Sequence, residues 1–328
     1  MRFSIVVPAY NAQRWLGDCI ASVFGQDFGD WELVLVDDGS VDGTGVMVDG
    51  YARRSERVVA IHQENAGQYL ARRAGINRSS GDYLLFLVSD DELEPNALSL
   101  IDAILCERDW DLVLFHGRSF RHGMAVGGPI GTIAAPAGQV SIEDIRLAFA
   151  FSHSLNSLFL KAYRRDLFCD DDVDPLRFSN VRHAEDKAMQ LRPLTYAQDC
   201  VYLPRALYRY RLNEQSVSHD IGVSDIPSLM GNEVFNLLSS TLPQWGLDTP
   251  KDRRLLGGYY LRNYIEVYFN LRRSAADRGE LRELSATRGA TSWRGATSAR
   301  PACSRLAPVS CSSTVWRDCA RSRAEGWR

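Results

Sequence analysis

GDYLLFLVSDDELEP, residues 81–95, joins a continuous apolar run to three consecutive acidic side chains. The run from Tyr83 to Val88 is typical of a strand buried on both faces, as in a parallel sheet. Ligands bind at the carboxyl ends of such strands, where Asp90, Asp91 and Glu92 follow, and Mg²⁺ or Mn²⁺ prefers carboxylate oxygens. The stretch therefore indicates either a metal site or a solvated turn that caps the next helix.

The composition is that of an ordinary globular protein. The chain has 328 residues, 45% of them hydrophobic and 24% charged, and its net charge of −3 argues against broad nucleic-acid binding. No apolar segment approaches the ~20 residues that span a bilayer. The N-terminus enters a strand pattern at once, so we expect no signal peptide. The seven cysteines lack zinc spacing. We expect free thiols in a reducing compartment and a cytoplasmic protein.

Strand and helix patterns alternate over roughly the first 115 residues. Such alternation predicts an α/β fold with a largely parallel sheet. The predicted strands are 3–8, 32–36, 58–62, 83–88 and 111–116. Right-handed crossovers would bring their carboxyl ends to one edge, which would gather Tyr10, Asp37–Asp38 and Ser89–Asp91. The chain has no GxGxxG after the first strand and no GxxxxGK[ST], which disfavours a typical dinucleotide fold and a P-loop.

Four motifs occur in order: VVPAYN (6–11), VLVDDGS (34–40), ENAGQYLARRAGI (64–76) and the 81–95 stretch. Together they resemble the family 2 glycosyltransferases of the GT-A fold, a Rossmann-like α/β fold, of the bacterial polysaccharide and cell-wall type. The resemblance implies a nucleotide-sugar donor, usually a UDP-sugar, with Mg²⁺ or Mn²⁺ as cofactor. It also implies inverting transfer to a saccharide or lipid-linked acceptor, as in cell-surface polysaccharide synthesis.

The resemblance assigns the nucleotide side of the site residue by residue. Pro8, Ala9 and Tyr10 would line the nucleotide pocket, with Tyr10 against the base. Asp38 would meet the polar edge of uracil, and Arg72 would lie near the base or the diphosphate. All five positions fall in the first three motifs.

The acidic motif departs from the family's commonest pattern, because Val88 stands where an aspartate is usual. We assign Asp91 to the metal and Asp90 to the ribose or the metal, and the two roles could be exchanged. The altered motif also motivates a second hypothesis, a nucleotide-sugar-binding relic without catalytic activity.

The family carries an acidic pair at the distance of Glu185–Asp186 from the metal motif. Inverting transfer needs one general base at the acceptor hydroxyl, and we predict Asp186, with Glu185 as the alternative. The structural alternative is that this pair only favours the start of a helix through the helix dipole. His183 is a candidate acceptor contact, and Arg211 or His219 would touch the diphosphate when a lid closes.

The chain is predicted to have four parts. Residues 1–117 would form the nucleotide-sugar-binding half and 118–220 the acceptor and catalytic-base half of one domain. Residues 221–284 would form C-terminal helices. Residues 285–328, rich in Arg, Ser, Thr, Ala and Gly, are atypical of the family and predicted to be disordered, with a nucleic-acid-binding tail as the rival interpretation.

Two basic segments have several interpretations. Lys161, Arg164 and Arg165 are expected to form a solvated basic face. The basic, aromatic pattern over 253–273 could contact an anionic membrane, pack on the catalytic domain or form a homodimer.

Overall fold

The computed structural model describes residues 1–153, 155–168, 184–213 and 232–278. The chain divides into two units, Met1–Ser274 and Ala275–Arg328. The strands are β1 (Phe3–Ala9), β2 (Trp31–Asp38), β3 (Val58–Gln63), β4 (Tyr83–Phe86), β5 (Glu92–Leu93), β6 (Leu112–Arg121), β7 (Met124–Ile130), β8 (Gly138–Val140), β9 (Lys161–Arg164) and β10 (Cys200–Arg211). The helices are α1 (Leu16–Phe24), α2 (Thr44–Arg54), α3 (Gln68–Arg78), α4 (Ala97–Glu107), α5 (Ile142–Phe151), α6 (Glu185–Tyr196), α7 (Asn232–Thr241) and α8 (Pro250–Arg278).

The described strands form one sheet in the order β3-β2-β1-β4-β9-β6-β10-β5, with β7 on β6 and β8 on β10. Strands β1 to β4 are parallel to one another. Strand β9 is antiparallel to both β4 and β6, and β10 is parallel to β6, so β6 and β10 also run in the direction of β4. The predicted α/β fold with a mostly parallel central sheet and C-terminal helices is confirmed, and the carboxyl ends of these six strands lie along one edge.

The continuous apolar runs explain why the parallel strands lie in the middle. Every residue of β1 and β2 is buried, because helices cover both faces of the sheet. Helix α1 packs its apolar stripe of Leu16, Ile20 and Val23 into the same core. Each such side chain contributes about 1.5–3 kcal/mol when fully buried.

The region after β4 differs from its prediction. Strand β4 ends at Phe86, before Val88, and the acidic stretch continues into β5, which was not predicted. Strand β5 pairs antiparallel with β10, with Leu93 opposite Tyr208. Two residues are too few to show strand periodicity in a sequence, and their partner lies more than a hundred residues away.

The predicted solvated basic face is wrong for Lys161, which is only 1% exposed. Strand β9 is central in the sheet, and its first three residues are buried, whereas Arg164 at its end is partly exposed. Arg164 forms ion pairs with Asp111 and Asp166, and Arg165 Nε donates to the carbonyl oxygen of Gly81. Both arginine side chains therefore have partners inside the protein.

Several predictions concern organisation beyond the sheet. Cys19, Cys106 and Cys200 are free thiols, as predicted. Within the ranges given above, no helix is long and apolar enough to cross a bilayer. The four-part domain division, the membrane contact and the homodimer stay predictions, and residues 285–328 lie outside the described residues.

Candidate active site

The loops after β1 and β2 are joined at the carboxyl edge of the sheet. The Asn11 amide donates to Ser40 Oγ (3.0 Å), and the Val41 amide donates to Asn11 Oδ1 (2.9 Å). Pro8 and Ala9, the last two residues of β1 before these loops, are buried. The Tyr10 side chain is 52% exposed. An exposed ring on an anchored loop can stack against a planar base.

Asp38 is 3% exposed and anchors the turn before α3. Its Oδ1 accepts from Gln63 Nε2 (2.7 Å) and the Ala66 amide (2.9 Å), and its Oδ2 accepts from the Gly67 amide (2.9 Å). Gly67 has φ of 86°, a conformation that favours glycine. The structure thus uses the Asp38 carboxylate to order the nucleotide-side loops, and its predicted contact with uracil stays a prediction.

Arg72 connects α3 to the start of α6. This guanidinium is buried, and it donates to Gln68 Oε1 on its own helix (2.9 Å). Its NH1 lies 2.8 Å from Asp186 Oδ1 and 3.5 Å from Glu185 Oε1. Arg72, which was predicted to bind the nucleotide, therefore contacts both candidate catalytic bases directly. The predicted contact of Arg72 with the base or diphosphate stays a prediction.

The carboxylates of α6 differ in their surroundings. The Leu158 amide donates to Asp186 Oδ2 (3.3 Å), so Asp186 is held from both sides by Leu158 and Arg72. Burial and the neighbouring charge of Asp186 raise the pKa of Glu185 to about 7, although Arg72 acts in the opposite direction. Glu185 and Asp186 therefore share the positive charge of Arg72, and burial favours protonation of Glu185.

Glu185→Gln is expected to stabilise the protein at pH 8 and to change its stability little at pH 5. The folded-state pKa of Glu185 is raised from 4.5 to about 7, so the folded state binds the extra proton and wild-type stability falls as pH rises between those values. The glutamine, always neutral, removes this loss of up to about 3 kcal/mol. Urea unfolding of both proteins at the two pH values measures the difference. A constant difference across pH would contradict the raised pKa.

Asp91 is 0% exposed. Tyr208 Oη donates to its Oδ2 (2.6 Å), and the Arg211 amide donates to its Oδ1 (2.7 Å). Burial, together with the charge of Asp90, raises the pKa of Asp91 well above its ordinary value. Both oxygens of Asp91 are thus occupied inside the protein.

Asp90 is only partly buried, and its Oδ2 accepts from Asn213 Nδ2 (2.5 Å). Burial raises the pKa of Asp90, while Arg211 and Asn213 act to lower it. A bound cation would stabilise the ionised form of this carboxylate. Asp90 is therefore more accessible to a metal ion than Asp91. This favours the alternative assignment, in which Asp90 binds the metal.

The acidic motif around Asp90 suits a divalent cation that takes most of its ligands from water and substrate. Within the described part of the chain, no three His, Cys, Asp or Glu side chains group as a metal site. Mg²⁺ commonly binds through one or two carboxylates and completes its shell with water and substrate phosphates. The chain's donors are of the right kind, and the metal assignments stay predictions.

Arg211 is held beside the acidic motif. Its Nε donates to the Asp90 carbonyl oxygen (2.7 Å), and its NH2 donates to Glu92 Oε1 (2.5 Å) and Asp18 Oδ2 (3.1 Å). This side chain fixes the end of β10 against the metal motif, and its predicted contact with diphosphate stays a prediction. His183 and His219 lie outside the described residues.

Comparison with known proteins identifies the family. The family model described as "Glycosyl transferase family 2" matches residues 4–124. TuaG of Bacillus subtilis, a glycosyltransferase named for teichuronic acid biosynthesis, is 35% identical over 217 residues, which are 66% of this chain and 81% of TuaG. This chain belongs to glycosyl transferase family 2. Its predicted membership is confirmed.

Other similar proteins differ from this chain in length. Glycosyltransferase GlyA of Streptococcus pneumoniae is 28% identical over 223 residues, which are 66% of this chain but only 31% of GlyA. The crystal structure of S. aureus TarS 1-349 in complex with UDP-GlcNAc is 22% identical with a TM-score of 0.64, covering 81% of this chain and 73% of that one. The latter similarity confirms the predicted GT-A fold.

Sequence reasoning missed the role of Tyr208 in this family 2 site. Tyr208 was not among the predicted site residues. It is 0% exposed, donates to Asp91, and accepts from the Val88 amide (3.2 Å). Tyr208 thereby fixes both ends of the acidic turn. The sequence offered only its place in the tyrosine-rich strand as a signal.

Proposed function

We propose that this chain transfers a sugar from a UDP-sugar to a hydroxyl group of a saccharide or lipid-linked acceptor, with inversion and with bound Mg²⁺ or Mn²⁺. The observation that carries the proposal is the meeting of Arg72 with Glu185 and Asp186. One buried cation thus holds the acidic pair of α6 against α3, the helix that follows the predicted nucleotide-side loops. On the metal side, the buried Tyr208 hydroxyl donates to Asp91 of the acidic motif.

In the proposed reaction Asp186 removes the proton of the acceptor hydroxyl. The acceptor oxygen attacks the anomeric carbon while the bond from that carbon to the diphosphate oxygen breaks, and UDP leaves. Arg72 and the Leu158 amide orient the Asp186 carboxylate. Asp186 is preferred to Glu185 as the base because Arg72 NH1 lies closer to its carboxylate (2.8 Å against 3.5 Å) and the Leu158 amide donates to its other oxygen.

Asp90 is proposed to hold the divalent cation, and Asp91 to position the turn that presents Asp90. The Tyr208 hydroxyl and the Arg211 amide keep that turn in place. When bound, the cation supplies positive charge that stabilises the leaving diphosphate. At an effective dielectric constant of about 20, a unit charge pair about 4 Å apart is worth about 4 kcal/mol.

The nucleotide is proposed to lie over the joined loops of β1 and β2. The exposed ring of Tyr10 would stack on the base, and Asp38 would stand beneath it. The TarS crystal structures include complexes with UDP and with UDP-GlcNAc, so these ligands are suitable first probes.

A thermal-shift panel tests donor binding. We expect Mn²⁺ together with one UDP-sugar at about 100 times its Kd to raise the Tm by about 5 °C or more over Mn²⁺ alone. Tyr10→Ala should lose most of this shift while keeping the Tm of the free protein, because its ring is on the surface. If neither UDP nor any UDP-sugar raised the Tm, the proposed donor class would be wrong. Binding of a UDP-sugar without turnover would instead favour the relic.

A further inference from the structure

Lys161 begins β9 and lies wholly inside the protein. Its side chain is 1% exposed, and Nζ donates to the carbonyl oxygens of Leu155 (2.9 Å) and Ser157 (2.7 Å). Burying a cationic side chain is costly unless its donors are satisfied. Both acceptors belong to the loop that connects α5 to β9, so the lysine ties that loop to the sheet.

The same loop holds the proposed base. Directly after Ser157, the Leu158 amide donates to Asp186 Oδ2 (3.3 Å). Gln190 supports the arrangement from α6, because its Nε2 donates to the carbonyl oxygens of Asn156 (2.5 Å) and Asp186 (2.9 Å). The position of Asp186 thus depends on the loop, and that of the loop depends on Lys161.

We propose that Lys161 is a positioning residue for the transfer reaction, which holds the loop around Leu158 so that its amide orients the Asp186 carboxylate. The proposal rests on the proposed function. It assigns Lys161 no contact with donor or acceptor.

Lys161 also contributes to the charge around the proposed base, Asp186. Burial lowers the pKa of Lys161 to about 7, while Asp186 acts to raise it. Among the described residues, Arg72, Glu185 and Lys161 are charged groups that interact with Asp186. A neutral amine still has two N–H groups for the two carbonyls, so loss of the proton would change the charge beside the base without removing the loop contacts.

Lys187 provides a matched control. It is also buried, and burial likewise lowers its pKa to about 7. Its Nζ, however, lies over the rings of Phe149 (5.0 Å) and Tyr259 (4.6 Å) and has no hydrogen-bond partner among the described residues. A general effect of a buried lysine would appear at both positions, whereas loop positioning should appear at Lys161 alone.

The test compares Lys161→Met, Lys161→Gln and Lys187→Met in the full chain. Lys161→Met removes charge and donors, whereas Lys161→Gln removes the charge but keeps an amide that can donate twice. We expect Lys161→Met to lower kcat about 10- to 100-fold, because small displacements of a catalytic group have effects of this size. KM for donor and acceptor should stay within about threefold. Lys161→Gln should recover part of kcat.

Two readouts separate positioning from a general loss of stability. The acid limb of the kcat/KM–pH profile should move to higher pH in both Lys161 variants and not in Lys187→Met, because a positive charge that favours the ionised base is gone. Amide hydrogen exchange of residues 155–158 should accelerate by about tenfold or more in Lys161→Met and remain slow in Lys187→Met. The exchange measurement needs no turnover.

The outcomes distinguish the two proposals. If Lys161→Met matched Lys187→Met in kcat, pH profile and loop exchange, the positioning role would be overturned. If the wild-type protein had no transferase activity, or Asp186→Asn were fully active, the proposed function or its base would fail instead. Loop exchange would still decide whether Lys161 holds the loop. Should Lys161→Met not fold, the comparison of Lys161→Gln with Lys187→Met decides the question through a smaller loss of kcat and a shifted acid limb at Lys161 alone.

Discussion

Asp186→Asn should lower kcat for sugar transfer by about 10²- to 10⁴-fold, the usual contribution of a general base. Asparagine keeps the size of the side chain and can still accept from the Leu158 amide, but it cannot take the proton of the acceptor hydroxyl. Donor binding should be nearly unchanged. The measurement is initial-rate kinetics with saturating UDP-sugar, together with titration of UDP against the variant.

Glu185→Gln is the matched control for that variant. Both carboxylates contact Arg72, but Glu185 does so at 3.5 Å and has a raised pKa. We expect a loss of less than about tenfold in kcat, because the glutamine resembles the protonated form that burial already favours. The base assignment would be contradicted if Glu185→Gln abolished transfer and Asp186→Asn did not.

Asp90→Asn should be the second large effect, with a fall in kcat of about 10³-fold, which corresponds to roughly 4 kcal/mol of lost charge interaction. The proposed metal ligand is partly exposed, so the Tm should change little. The loss should be accompanied by weaker binding of Mn²⁺, measured by calorimetry with UDP present.

Asp91→Asn should behave differently. Asp91 is wholly buried and accepts from Tyr208 and the Arg211 amide, and an asparagine can satisfy only one of these two donors with its single oxygen. The unsatisfied donor should lower the free energy of unfolding by about 1–3 kcal/mol. Loss of metal binding in Asp91→Asn with normal binding in Asp90→Asn would contradict the exchanged roles and support the first assignment.

The architecture was predictable because its signals are local. The buried strands appear as continuous apolar runs, and helix α1 appears as a stripe of leucine, isoleucine and valine. The carboxyl-edge cluster followed from the handedness of parallel crossovers. These features need only neighbouring residues and general rules of chain connection.

The contacts that complete the site were not predictable from the same signals. Tyr208 meets Asp91 across 117 positions, and Arg72 meets Glu185 across 113. A contact between two residues so far apart in the sequence produces no periodic pattern of residue types in either segment. Lys161 shows the same difficulty, because a lysine beside two arginines is typical of a solvated surface until the sheet order places its strand in the centre.

The most direct test of the central claim is release of UDP from UDP-sugars by the 328-residue chain with Mn²⁺, before and after addition of EDTA, with Asp186→Asn assayed in parallel. The account predicts that at least one UDP-sugar is turned over, that EDTA stops the reaction and renewed Mn²⁺ restores it, and that Asp186→Asn is at least about 10²-fold slower. Absence of UDP release from every UDP-sugar, or release that neither EDTA nor the substitution reduces, would contradict it.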